Sequence, residues 1–174
     1  MKKSVTLLFI FIGFFYYISG GWQTVKATQK MSIEKHYHEL GYKSVSNAIQ
    51  ETEAYYKTNL VLPKKLPPLD FSHSFGRFSK ENENLEIEYL NEKKHFNYII
   101  NIFPAKYDNK LLPFSDTKII LKDGTQAYYS TSGIDEKSIM ILKFKKNNLI
   151  YILSIQEILI DNPLSTLEEI ANSF

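Results

Sequence analysis

The chain of 174 residues has no cysteine, one arginine, one tryptophan and little net charge. Each shortage removes a class of chemistry. Without cysteine there are no disulfides, no zinc–thiolate sites and no thiol nucleophile, and the absence does not fix the compartment, because an exported protein need not carry disulfides. Arg77 is the sole guanidinium, which argues against bidentate phosphate recognition. The formal charge is +2, and Lys2, Lys3 and Lys26 sit in an N-terminal stretch without Asp or Glu. Taking those three from the 21 basic residues leaves 18 against 19 acidic ones. A near-neutral domain lacks the phosphate-neutralising charge on which nucleic-acid affinity rests, so nucleic acid is not an expected partner. The chain also lacks a GxSxG elbow, a P-loop, a GxGxxG fingerprint and an Asp-rich calcium loop. No cofactor, metal or catalytic residue is therefore expected.

What is present starts with an export signal. Lys2 and Lys3 precede an uncharged run over 5–18, and Ser19, Gly20 and Gly21 break it, in the order of a secretory signal. Val25 and Ala27 suit a cut after Ala27, giving a mature start at Thr28. The same run, extended to Trp22, is about the roughly 18 residues that span a bilayer, so an uncleaved anchor through residues 5–22 is the other reading. Either way the rest of the chain faces outward, secreted or held at the cell surface. A lipid anchor, which needs a Cys, is excluded.

The chain's 44% hydrophobic content suffices for one domain besides the targeting segment. Residues 28–43 read as a helical preface, with Ser32 as cap and Gly41 as stop. Residues 44–174 read as one α+β domain. Val45, Ala48, Ile49, Thr52 and Tyr56 fall at helical spacing. A short apolar strand at 60–62 runs into Pro63 as an edge or crossing segment. Period-two alternation then marks Phe71 to Arg77, Leu85 to Tyr89 and Phe96 to Ile102. Asp123-Gly124 is a tight turn, and two apolar runs at 139–144 and 149–155 flank Asn147 and Asn148, which tolerate positive φ. These predict a curved antiparallel sheet of about seven strands in a meander, packed on an N-terminal and a C-terminal helix. The last helix is expected to start on a capping box of Ser165 and Glu168, with Leu164, Leu167, Ile170, Ala171 and Phe174 as its apolar stripe.

The order of LPKKLP at 62–67, KDGTQAYY at 122–129, IYILSI at 150–155 and STLEEIANSF at 165–174 resembles an uncharacterised extracytoplasmic domain family of Gram-positive bacteria. Members of that family occur as secreted or membrane-anchored proteins, and some form the outer part of membrane-bound sigma-factor regulators. The resemblance spans roughly 44–174 and implies an architecture similar to lipoprotein-carrier folds. It brings no catalytic residues with it.

Two functions of different class follow. The first is a non-catalytic binding or sensing module whose concave sheet face, lined by Phe96, Tyr98, Ile100, Phe144, Tyr151 and Leu153, receives an apolar ligand, an envelope component or a membrane protein. The alternative for those residues is a core filled by the two helices. Tyr107 and Phe114, in the longest irregular connection, belong either to the same surface or to a flap closing one end of the core. The second is a small secreted hydrolase using a carboxylate, with Glu86 and Glu88 sharing one strand face, or using Tyr128 and Tyr129. His36 and His38 are two apart on a helix and diverge, and the HExxH pattern begun at His38 fails at Tyr42. Ser130, Thr131, Ser132 and Gly133 read as a polar turn.

Overall fold

The structure, a computed structural model, describes residues 32–108, 117–132, 138–156 and 160–174. The expected signal or anchor segment, the start at Thr28, and Leu111, Leu112, Phe114 and Gly133 lie outside these residues. Among the described residues no helix is long and apolar enough to cross a membrane.

Local chemistry sets the helices. In α1 (Ile33–Glu39) the Ser32 hydroxyl accepts the Lys35 amide, and in α2 (Val45–Tyr56) Ser44 accepts that of Asn47, both at 3.3 Å. Each cap satisfies an amide that the first helical turn leaves unpaired. Gly41, at φ +84°, ends the turn after α1. The third helix, α3 (Pro163–Ala171), is capped by Asn162, whose side-chain oxygen accepts the Ser165 amide at 3.2 Å. The expected capping box at Ser165 is thus displaced. Proline is at home at the first helical position, where its missing N–H costs nothing, and that sets the start three residues earlier.

Seven strands form one open antiparallel sheet: β1 (His73–Ser79), β2 (Asn84–Asn91), β3 (Phe96–Pro104), β4 (Thr117–Ile120), β5 (Gln126–Ser132), β6 (Ile139–Lys146) and β7 (Leu149–Gln156). Their order is β1-β2-β3-β7-β6-β5-β4. The expected single meander is therefore two, joined where β3 pairs with β7 (Ile100 opposite Leu153). β7 is buried along nearly its whole length and suits the centre, whereas β4 is short and mostly exposed and suits an edge. Asn147 and Asn148, at φ 50° and 60°, make the two-residue β6–β7 turn, and Gly124, at φ +84°, serves the β4–β5 turn. Ser130, Thr131 and Ser132 lie in β5 and not in a turn. Residues 60–62 form no strand: Pro63, Pro67 and Pro68 deny the segment a ladder, and it crosses the sheet as an irregular strap.

Period two sends alternate residues to opposite faces. The inner face carries Phe78, Leu85, Ile87, Tyr98, Ile100, Ile102, Leu142, Phe144, Tyr151, Leu153 and Ile155, in one core cluster with Ala48, Leu167, Ile170 and Ala171, and Phe96 is buried on the same face. Each fully buried side chain of this size is worth about 1.5–3 kcal/mol, so this face dominates stability. α2 packs mainly on β1 and α3 on β6 and β7. The outer face carries Phe75, Glu86, Glu88, Asn97, Phe103, Ile150 and Ile152. There α1 covers β1 and β2, with Tyr37 stacked on Phe75 at 4.1 Å. The large β1 residues His73, Phe75 and Arg77 therefore serve α1, and Gly76 and Phe78 serve the main core.

Candidate functional site

The structure brings six of the sequence-nominated residues together and separates another. Phe96, Tyr98, Ile100, Phe144, Tyr151 and Leu153 share the inner face and are all buried. They line a filled core and not an open groove, because α2, the strap and α3 lie on them. Aromatic contacts seal the α3 side: Phe144 stacks on Tyr151 at 5.2 Å, and Phe174 meets both edge-on at 5.1 and 4.9 Å. Tyr107 is elsewhere. It lies in a 3-10 turn (Ala105–Tyr107), packs toward Phe103 and Ile150, and its hydroxyl donates to Glu83 Oε2 at 2.9 Å. Phe114 lies outside the described residues.

The middle of the inner face has a distinctive roof. Residues 57–72 link α2 to β1 with no regular structure, and Leu60, Leu62, Leu69 and Phe71 pack onto the core. The strap is pinned at its start, its middle and its far end. The Leu60 amide donates to Glu53 Oε1 (2.8 Å), and those of Lys64 and Lys65 donate to the Ser173 carbonyl (3.3 Å) and hydroxyl (3.1 Å). At the far end Asn91 Nδ2 donates to the Asp70 carbonyl (2.7 Å) and the Ser72 amide to that of Leu90 (2.8 Å). Between the pins, among the described residues, the stretch 66–69 bonds only within itself, Leu69 to Pro67.

On the inner face two buried phenol hydroxyls have no hydrogen-bond partner, those of Tyr98 and Tyr151. Both residues are 0% exposed. Tyr151 Oη faces the Val61 backbone of the strap, short of hydrogen-bond geometry. Burial pushes this phenol up to about 12, the Val61 backbone acting in the opposite sense. Burial also pushes Tyr98 well above its ordinary value, and the Tyr89 phenol adds to the rise. Tyr98 stacks against Tyr89 at 5.9 Å, and Phe71, at the far end of the strap, touches Tyr89 and Phe96 at 5.6 and 5.9 Å. An unpaired buried hydroxyl costs about 1–3 kcal/mol, a cost phenylalanine would avoid.

On the outer face Glu86 and Glu88 do share a side, as their spacing implies. Glu88 is buried, and one of its oxygens accepts both the Tyr37 hydroxyl (2.9 Å) and Asn97 Nδ2 (2.8 Å). Burial raises its pKa, the neighbouring Glu86 charge adds to the rise, and the two hydrogen bonds oppose it. Glu86 accepts the Tyr42 hydroxyl and Arg77 Nη2 (3.4 Å), and Arg77 lies 4.4 Å from the Tyr42 ring centre. Desolvation and these carboxylates drive both phenols, Tyr37 and Tyr42, upward. His73 Nε2 faces Glu34 Oε1 at 3.0 Å. The group clamps α1 to the sheet. Only the paired glutamates were legible in the sequence, since Tyr37 and Tyr42 reach them from 51 and 44 residues away. Tyr128 and Tyr129 point to opposite faces, so they cannot act together.

Elsewhere, Asp108 joins Lys143 (2.6 Å) and Lys145 (3.2 Å). A surface concavity of about 520 Å³ lies at the C-terminal end of α3, lined by Lys64, Lys65, Lys122, Glu169 and Asn172. Lysines there complement the negative end of the helix dipole. His38 Nδ1 lies 3.0 Å from the Tyr42 carbonyl, and among the described residues no three His, Asp or Glu converge as metal ligands. Comparisons with family models, with curated proteins and with solved structures found no match.

Proposed function

We propose that this chain is a non-catalytic binding or sensing module that works outside the membrane of a Gram-positive bacterium, released by signal cleavage or tethered by its N-terminal segment. The observation that carries the reading is the roof of the inner face: an irregular, proline-bearing strap, and not a helix, covers the centre of an apolar sheet. Among the described residues the stretch 66–69 of this cover makes no hydrogen bond to sheet or helix, so that part can lift at small hydrogen-bonding cost. The occupant of that face is an apolar ligand or envelope component.

The glutamates favour binding over a carboxylate hydrolase. Glu88 and Glu86 are engaged by Tyr37, Asn97, Tyr42 and Arg77 and hold α1 in place, an arrangement that fastens a helix and leaves no reacting atom between the two acids.

Recovery of the full-length gene product from a Gram-positive host tests the reading. The expected result is protein in the medium with a mass beginning at Thr28, or full-length protein in the membrane, carrying a small molecule extractable by organic solvent. Protein retained in the cytoplasm would overturn export. Empty protein that also fails to retain any component of a host envelope extract would overturn binding.

A further inference from the structure

We propose that α1 is a detachable latch on the outer face of the sheet, closed over Glu88 in mild acid and loosened as pH rises. The latch lies on the opposite face from the strap and does not depend on what the inner face binds.

The helix has little of its own to hold it. Its 7 residues fall short of the ~12–15 that an isolated helix needs in water, and none is fully buried. Side chains do the fastening. Tyr37 stacks on Phe75 at 4.1 Å and donates to Glu88, Glu34 faces His73, and the Leu40 carbonyl accepts Arg77 Nη1 at 3.3 Å. Beyond Leu40 the chain turns at Gly41, and the next residues are held independently, Tyr42 by Glu86 and Lys43 by its bridge to Gly76. Gly41, at φ +84°, is therefore the hinge, and only the segment before it is free to leave. Release uncovers Phe75 and Glu88 while α2 and the strands keep their contacts. Residues 32–40, at about 3.3 Å each, can then extend about 30 Å between the N-terminal segment and the sheet.

The closed latch buries a carboxylate. Glu88 is 6% exposed, and around it stand Tyr37 of α1 with the His36 ring edge-on behind it, Tyr42, Arg77 of β1, Glu86 of β2 and the neutral Asn97 of β3. Arg77 pairs with Glu86 and not with Glu88, so among the described residues ionised Glu88 is held by the Tyr37 and Asn97 hydrogen bonds alone. Such a carboxylate loses water without gaining a paired counter-charge, and burial raises its pKa above the ordinary 4.5. Opening the latch returns it to water. The closed form thus binds the proton more tightly than the open form, and its advantage, full below 4.5, is lost as pH rises through the closed-state pKa. Glu34 acts in the reverse sense: a backbone hydrogen bond and then His73 lower its pKa, so its contribution is present above 4.5 and fades in stronger acid. The hold is greatest in mild acid.

The test is hydrogen exchange of the α1 amides in the full chain, read as protection relative to the intrinsic rate at each pH, with the β7 amides as reporters of the whole fold. The expected result is α1 protection at least about a hundredfold below that of β7, falling about threefold or more from about pH 5 to about pH 7.5. Glu88→Gln, which keeps an oxygen for Tyr37 and Asn97, should abolish the fall, and His73→Gln should leave it. Equal protection in α1 and β7 would mean that the helix leaves only when everything unfolds, and would overturn the latch. So would a flat wild-type profile, a fall that persists in Glu88→Gln, or one that vanishes in His73→Gln. If Glu88→Gln proves unstable, seen as lost β7 protection, Tyr37→Phe replaces it. With one donor fewer the ionised acid is held less well, so the fall must steepen, and an unchanged fall would overturn the role of Glu88.

Discussion

Gly76→Ala should destabilise the protein, because α2 lies closer to β1 at this residue than any side chain allows. A Cβ built there would stand 2.7 Å from Ala48 Cβ and 3.1 Å from Val45 Cα. Carbon atoms in contact prefer about 3.5–4.0 Å. Neither neighbour can swing aside: Ala48 is fully buried and has no rotamer to change, and the Val45 atom is backbone. The helix must move out by something near 1 Å, and it carries with it the adjoining Lys43–Gly76 bridge, bonded at 2.8 and 2.9 Å. Overpacking of this kind costs about 1–3 kcal/mol. The reduced freedom of the unfolded chain with alanine returns about 0.4–1 kcal/mol, so the steric effect wins and the net loss is about 1–2 kcal/mol. Equilibrium denaturation in urea should show a lower midpoint with an unchanged slope. Ala48→Gly alone should also destabilise, by about 1 kcal/mol from helix propensity plus its lost contacts. The double variant should be more stable than the sum of the singles, since the 2.7 Å clash is gone. Additive behaviour, or a Gly76→Ala protein as stable as wild type, would refute the close approach of α2 to β1.

Three further outcomes follow from the contacts. Glu88→Gln keeps an oxygen to accept Tyr37 and Asn97. Because burial raises the Glu88 pKa above its ordinary 4.5, this carboxyl favours the fold in acid and loses that contribution as pH rises through its folded pKa. Denaturation from about pH 4 to 7 should therefore shift progressively in favour of the Gln variant, and a pH-independent difference would contradict the burial. Asp123 shows the opposite sign: the Thr125 hydroxyl and amide, then Lys146, lower it from 3.8 to about 2. Its stabilisation is present above 3.8 and fades as pH falls through about 2. Asp123→Asn should be destabilised at pH 6 and match wild type near pH 1–2, by a small amount given the exposure of the pair. Asn162→Ala should cost about 1 kcal/mol in thermal denaturation, and Ser165→Ala distinctly less. The reverse ranking would restore the Ser165 cap.

The sequence by itself determined the elements that depend on neighbours in the chain. Ser32 and Ser44 cap the first two helices because a side-chain oxygen reaches an amide three residues on, and Asn147, Asn148 and Gly124 turn the hairpins because they accept positive φ. Alternation in β2, β3 and β7 settles which residues face inward, and so assembles Tyr98, Ile100 and Tyr151 on one face. Even local signals compete, and Pro163 with Asn162 prevailed over an equally plausible Ser165 box.

Tertiary structure decided what alternation cannot encode. A strand pattern does not name its partner, so the pairing of β3 with β7, and with it the split of one meander into two, came from the need to bury a doubly apolar strand at the centre. The partners of Glu88 were illegible because Tyr37 approaches across 51 positions of chain. Only packing could show that the aromatic lining of the inner face is covered, that an irregular strap shares that cover with α2 and α3, and that two hydroxyls of this face are left without partners. Local sequence determines which side a residue faces; only the full set of neighbours determines whether its polar atoms are satisfied there.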